Sequence, residues 1–259
     1  MLGCFVARPV RYLLGLIMKP VLAITALLVL LSGASHAEGI PTNMPETLYY
    51  EISYGPFDVG NSTMEVKNNE DGTVSIITRA RSKGWVDDVY PVDDFAESIV
   101  EDFDDLVPVK YTLRTSEGKG RKHREVLFDH VDNKATYIDH LSQVNTEYDI
   151  PDKVFDPLAA FFYTRRLILE PGKDQIVPMF DSKKFWSMDV KVIKHQTVKV
   201  PAGTFETVLI SPVMQSEGIF SRSGDMYIWV TDDVQRIPVL IKSKVLIGSI
   251  KVKLTGVTY

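Results

Sequence analysis

Cysteine is almost missing from this chain. Its 259 residues hold one, Cys4, inside a segment read below as a cleaved leader. A mature chain starting at Glu38 then has no disulfide, no thiolate nucleophile and no thiolate metal site. The sequence also lacks a Gly-x-Ser-x-Gly elbow, a dinucleotide glycine pattern and a phosphate-binding loop. Histidine is scarce, and His123, His130, His140 and His195 never stand in His-x-His or His-x-x-x-His spacing. No metal or other cofactor is therefore expected. Positive charge is in deficit, with 29 Lys and Arg against 34 Asp and Glu and a formal charge of −5. Removing Arg8, Arg11 and Lys19 with the leader takes this to −8, which disfavours nucleic acid as a partner.

A membrane-spanning run is absent too. The apolar stretch Val21–Leu31 has 11 residues, against roughly 20 needed to cross a bilayer as a helix. Basic residues precede it, and Ser35-His36-Ala37 fits the small-x-small pattern of a signal-peptide cut. The positive lead is long, and Met18-Lys19-Pro20 would make an ordinary short start. No cysteine sits at the cut, as a lipoprotein would need. The reading is a signal peptide over residues 1–37, removed on export, and one β-rich domain over 38–259 with no membrane span, soluble in the periplasm.

Strand patterns fill most of what remains. Leu48–Tyr54 alternates and Gly55-Pro56 breaks it; Val59–Lys67 and Thr73–Arg81 flank the turn Asn68-Asn-Glu-Asp-Gly72. Further runs lie at 109–115, 123–128, 134–141, 175–180, 184–195, 196–200, 205–214, 224–231, 238–246 and 249–257. The one convincing helix is Asp156–Gly172, DPLAAFFYTRRLILEPG. Asp156 can cap its free amides, Pro157 suits the first helical position, and Pro171-Gly172 ends it. The fold class expected is mainly β: an antiparallel barrel-like or sandwich domain of about ten strands with one amphipathic helix laid against or plugging the sheet.

Several motifs come in a recognisable order. Asp156-Pro-Leu-Ala, Pro201-Ala-Gly-Thr-Phe205, Ile228-Trp-Val-Thr-Asp-Asp233 with Arg236-Ile-Pro238, then Ile247-Gly-Ser249 and Leu254 resemble the exported bacterial family called domain of unknown function 3108. The resemblance covers about Leu48 to Tyr259. It implies a β-rich envelope protein and brings no catalytic residues.

The acidic run 85–105 lacks the alternating Asp loop of a calcium site and reads as a solvated face. The basic hairpin 110–124 reads as its electrostatic counterweight, with anionic headgroups as the other use for such a ribbon. Ser116-Glu-Gly-Lys119 has Ser-x-x-Lys spacing but falls at a hairpin tip, where the working motif begins a helix. A terminal Tyr259 after alternating strands is shared with outer-membrane barrels, whose lipid face cannot carry the charges seen here.

Aromatics offer the main candidate site. Phe161, Phe162, Trp186, Tyr227 and Trp229, with Arg165, would line an apolar cavity between sheet and helix, or else fill the core. The expected function is a non-catalytic periplasmic binding or carrier protein of the cell envelope, for a lipid, glycolipid or other apolar ligand. The alternative is a structural or assembly partner acting on an envelope protein through its surface; a hydrolase of envelope glycan comes third.

Overall fold

The computed structural model describes residues 45–214, 226–244 and 248–259. The expected leader and its cut lie outside them. Fourteen strands follow in chain order: β1 (Glu46–Tyr54), β2 (Phe57–Asn68), β3 (Val74–Ser82), β4 (Asp93–Val100), β5 (Pro108–Glu117), β6 (Gly120–Asp129), β7 (Lys134–Asp139), β8 (Val144–Asp149), β9 (Gln175–Asp181), β10 (Lys184–Val200), β11 (Gly203–Met214), β12 (Met226–Thr231), β13 (Pro238–Lys244) and β14 (Ser249–Thr258). A one-turn helix, α1 (Trp85–Val89), precedes β4, and α2 (Pro157–Thr164) stands between β8 and β9.

All fourteen strands belong to one antiparallel sheet, ordered β8-β7-β6-β5-β4-β3-β2-β1-β14-β13-β12-β11-β10-β9. The class is the one expected, with more strands than the ten anticipated. Period-two burial generates it. In β14, Ile250, Val252 and Leu254 are buried, while Lys251 and Lys253 alternate on the other face. Outward charges pair between neighbours, as in Lys253–Glu51 at 2.7 Å and Arg81–Asp93 at 3.0 Å.

The sheet curls until its ends approach. β8 and β9 share no ladder, but the segment leaving β8 reaches β9: the Phe155 amide donates to Pro178 O at 3.0 Å, and the Phe180 amide donates to Phe155 O at 2.9 Å. The Phe180 ring lies 5.6 Å from Tyr148 of β8 and 6.2 Å from Phe128 of β6. A barrel-like wall results, sealed by side chains where hydrogen bonding stops.

Helix α2 closes one end. Asp156 caps it as expected, accepting from the amides of Leu158 at 2.8 Å and Ala159 at 3.1 Å. The helix is shorter than DPLAAFFYTRRLILEPG suggests, ending at Thr164, and Pro171-Gly172 lies well beyond it. Nor is it amphipathic, because Pro157 to Phe162 and Thr164 are all buried and Tyr163 alone is partly open. It packs on β3, β4 and β9. Such burial contributes about 1.5–3 kcal/mol for each large apolar side chain, more than a helix this short could supply on its own.

Candidate functional site

Inner and outer faces follow from the ladder register. Ser98, Tyr111, Val126 and Tyr137 lie in one inward-facing row across β4, β5, β6 and β7, and all four are buried. Ala96, Leu113, Arg124 and Asp139 form the next row. Asp94, Thr115 and Lys122 continue inward toward the strand ends opposite α2. Along β6 these positions grade from exposed Lys122 through half-buried Arg124 to buried Val126. Along β10 the same gradient runs from exposed Lys184 through half-buried Trp186 to buried Met188. An inward side chain can be exposed only at an opening, so this end of the wall is a mouth.

The wall behind that mouth is polar. Thr78 Oγ1, Asp94 Oδ2, Tyr111 OH, Arg124 Nε and Trp186 Nε1 are buried atoms with no hydrogen-bond partner among the described residues. Arg124 Nε is still within ion-pair range of Asp139 Oδ2 at 3.6 Å, and Tyr137 OH donates to that carboxylate at 3.1 Å. Cations cover the aromatic rings: Lys183 Nζ stands 4.7 Å from the centre of Tyr137, and Lys184 Nζ stands 4.2 Å from that of Trp186. Such contacts add about 0.5–2 kcal/mol each.

Burial tunes the acids of this wall. It pushes Asp94 up to about 6, against the pull of the Ser116 amide and Lys122. The Ser116 amide donates to Asp94 Oδ1 at 3.0 Å, leaving the second oxygen facing the interior. Desolvation also raises Asp181, with Arg124 and Lys122 acting in opposition. Tyr111 is raised by burial first and then by the fields of Asp181 and Asp156. Asp156 is pushed up to about 6 by burial although Ser98, Ala159 and Leu158 donate to it. The β5–β6 tip is folded onto the segment that precedes β4, the Gly118 amide donating to Pro91 O at 2.8 Å. Gly118, at φ 55°, lies under the Tyr90 ring, and a Cβ there would meet Tyr90 Cε2 at 2.6 Å. Chemically, the wall offers donors, acceptors and charge. Among its described residues no histidine stands beside a nucleophile.

The candidates drawn from the sequence divide into three groups. Phe161, Phe162 and Arg165 are brought together in the core, each 1% exposed. Arg165 stands 4.8 Å over the Phe162 ring and forms a two-pronged ion pair with Glu46 at 2.7 and 2.9 Å. Its Nη2 also donates to Gln235 O at 2.9 Å. Trp186 is on the inner wall near the mouth. Tyr227 and Trp229 alternate with buried Met226, Ile228 and Val230, which puts them on the outer face. Trp229 there pairs across the ladder with Leu209 and Leu240 and donates to Gln196 Oε1 at 3.2 Å. The six residues therefore do not share one cleft. From sequence, Asp94 and Arg124 stand out only as members of the acidic run and the basic hairpin, and Tyr111 does not stand out at all. Only the odd positions of a β run carrying charge inward would have marked them.

A separate surface cleft of about 230 Å³ is lined by Asp105, Val107, His130, Asp152, Lys153, Val154 and Phe155. Its floor is the Phe155 segment that joins β8 to β9.

Comparison with known proteins agrees with this architecture. The model of the family described as "Protein of unknown function (DUF3108)" matches residues 49–255. The chain belongs to the DUF3108 family. Among solved structures, the beta-barrel-like DUF1849 protein of Brucella abortus is similar at a TM-score of 0.55 and 12% identity, covering 84% of this chain and 98% of that one. At this identity the likeness concerns the fold alone. A protein of YmcC-like fold from Bacteroides fragilis (TM-score 0.30, 7% identity, 85% and 98% covered) superposes more loosely. So does a DUF1089 family protein from Pseudomonas aeruginosa (TM-score 0.29, 10% identity, 73% and 87% covered). No curated protein matches the DUF3108 sequence. Among the described residues, no helix is long and apolar enough to cross a membrane.

Proposed function

We propose that this protein is a non-catalytic binding or carrier protein of the bacterial cell envelope, exported to the periplasm as one β-rich domain. Its ligand is an amphiphile, lipid or glycolipid, that enters at the barrel mouth with its polar head against Arg124, Trp186 and Tyr111. Lys122, Lys183 and Lys184 at the rim favour an anionic head. The observation that carries this reading is the set of buried, inward-facing polar atoms without partners. Each such atom costs about 1–3 kcal/mol when left unsatisfied, and a bound head group would satisfy several together. Helix α2 serves as the floor of the barrel in this reading, with Phe161 and Phe162 packed beneath the site.

The test is native mass spectrometry of the purified protein, followed by solvent extraction and lipid analysis. An amphiphile of defined mass is expected, lost in Arg124→Ala and Trp186→Phe variants that keep their circular dichroism. A ligand-free protein whose tryptophan emission ignores added anionic lipids would overturn the reading. A surface-mediated role in envelope assembly is the alternative. It draws on the outward row Leu209, Trp229 and Leu240 beside Tyr227, and it predicts that Trp229→Ala abolishes partner binding while leaving the interior unchanged.

A further inference from the structure

Away from the barrel interior, three possible metal ligands meet on the outer face. His123 and Glu125 alternate on β6, two residues apart and therefore on the same side of the sheet. His140 begins the turn after β7, and its amide donates to His123 O at 2.9 Å, which sets the two imidazoles side by side. Their ring centres are 4.2 Å apart. His140 Nε2 stands 3.1 Å from Glu125 Oε2, a spacing that two ligands of one ion commonly adopt. One ligand atom from each of the three residues falls within 4.8 Å of the others.

We propose that His123, Glu125 and His140 form a surface site for Zn²⁺ or a similar borderline-soft divalent ion. Two imidazoles and a carboxylate are a donor set that zinc accepts with a fourth position open to water. The spacing rules of sequence reading miss this set because one ligand comes from a strand neighbour. Two features set its strength. Glu125 already pairs with Lys110 at 2.9 Å through its other oxygen, and Arg114 is the ladder partner of His123. Both cations oppose a metal and weaken its binding. The ion would tie β6 to the turn that leads into β8, an edge strand of the sheet.

Isothermal titration of the purified protein with zinc chloride in a chelator-free buffer tests this. One Zn²⁺ per chain is expected, with His123→Ala and His140→Ala each weakening binding at least about tenfold, on the scale of losing one coordinating interaction. Lys110→Met, which frees Glu125 from its competitor, should tighten binding several-fold; unchanged affinity would remove Glu125 from the ligand set. Paramagnetic Co²⁺ added to the unmutated protein should broaden the ring signals of His123 and His140 and spare those of His130 and His195, a readout that needs no variant to fold. Absence of saturable binding overturns the proposal, as does binding that survives both histidine variants or broadening centred on His195.

Discussion

At the scale of single residues, burial and charge pull some positions away from their usual chemistry. Phe161 and Phe162 meet edge to face with ring centres 5.7 Å apart, and Phe162 does the same with Phe103 at 6.0 Å. Truncating either to alanine opens a cavity in a packed region, and the expected cost is about 3–5 kcal/mol by urea denaturation. A loss below about 1 kcal/mol would mean that these rings line open space. Asp94 responds to pH in the less common direction. Its folded pKa of about 6 lies above the ordinary 3.8, so folding favours the protonated form. The stabilisation it contributes is complete below pH 4 and is lost as pH rises through 6. Asp94→Asn keeps an oxygen for the Ser116 amide and removes the charge. It should therefore be more stable than the parent above pH 7 by about 1–3 kcal/mol, and the difference should shrink to nothing near pH 4. Denaturation curves from pH 4 to 8 check the sign; an Asn variant less stable at pH 8 would contradict it.

At the scale of elements, α2 shows what local sequence conveys and what it leaves out. Asp156 and Pro157 mark its start in any reading, because a cap and a proline act within four residues. Its end is invisible locally. Arg165 caps the helix with helical backbone angles while its side chain reaches Glu46, 119 residues away in sequence, and nothing in the run RRLILEPG refers to that partner. The acidic stretch 85–105 is a similar case. It reads as one solvated face, yet Asp93 and Glu97 point outward from β4 while Asp94 points inward, so the run splits along the pleat. Basic partners lie beside it, though not as a simple facing pair: Arg79 and Arg114 both stack on Phe95 at 4.6 Å. The buried Arg165–Glu46 pair makes a quantitative expectation possible. Glu46→Ala strands a guanidinium in the core and should cost about 3–5 kcal/mol, whereas Glu46→Leu with Arg165→Met should recover most of that loss. Thermal unfolding of the single and double variants distinguishes this from simple loss of packing, in which case the double variant would be the worse of the two.

On the scale of the whole molecule, strand alternation and tight turns conveyed the mainly β, antiparallel class, since both are properties of consecutive residues. The extra strands escaped because β8, VNTEYD, is polar on both faces at an edge and carries little pattern. The candidate site was legible only in Trp186; its other members are ordinary-looking Asp, Tyr and Arg whose meaning lies in the direction they point. One topological fact has a further reach. β1 and β14 are hydrogen-bonded neighbours near the middle of the sheet, so the first and last strands among the described residues are the seam between its two halves. Deleting 249–259 should leave a chain without cooperative unfolding or the near-ultraviolet signal of fixed aromatics; a shortened chain that keeps both would show the halves to be independent. Contacts that distant in sequence form slowly. β1 to β8 can pair with their sequence neighbours before β14 arrives, so the β1–β14 ladder is the step that joins two already patterned halves.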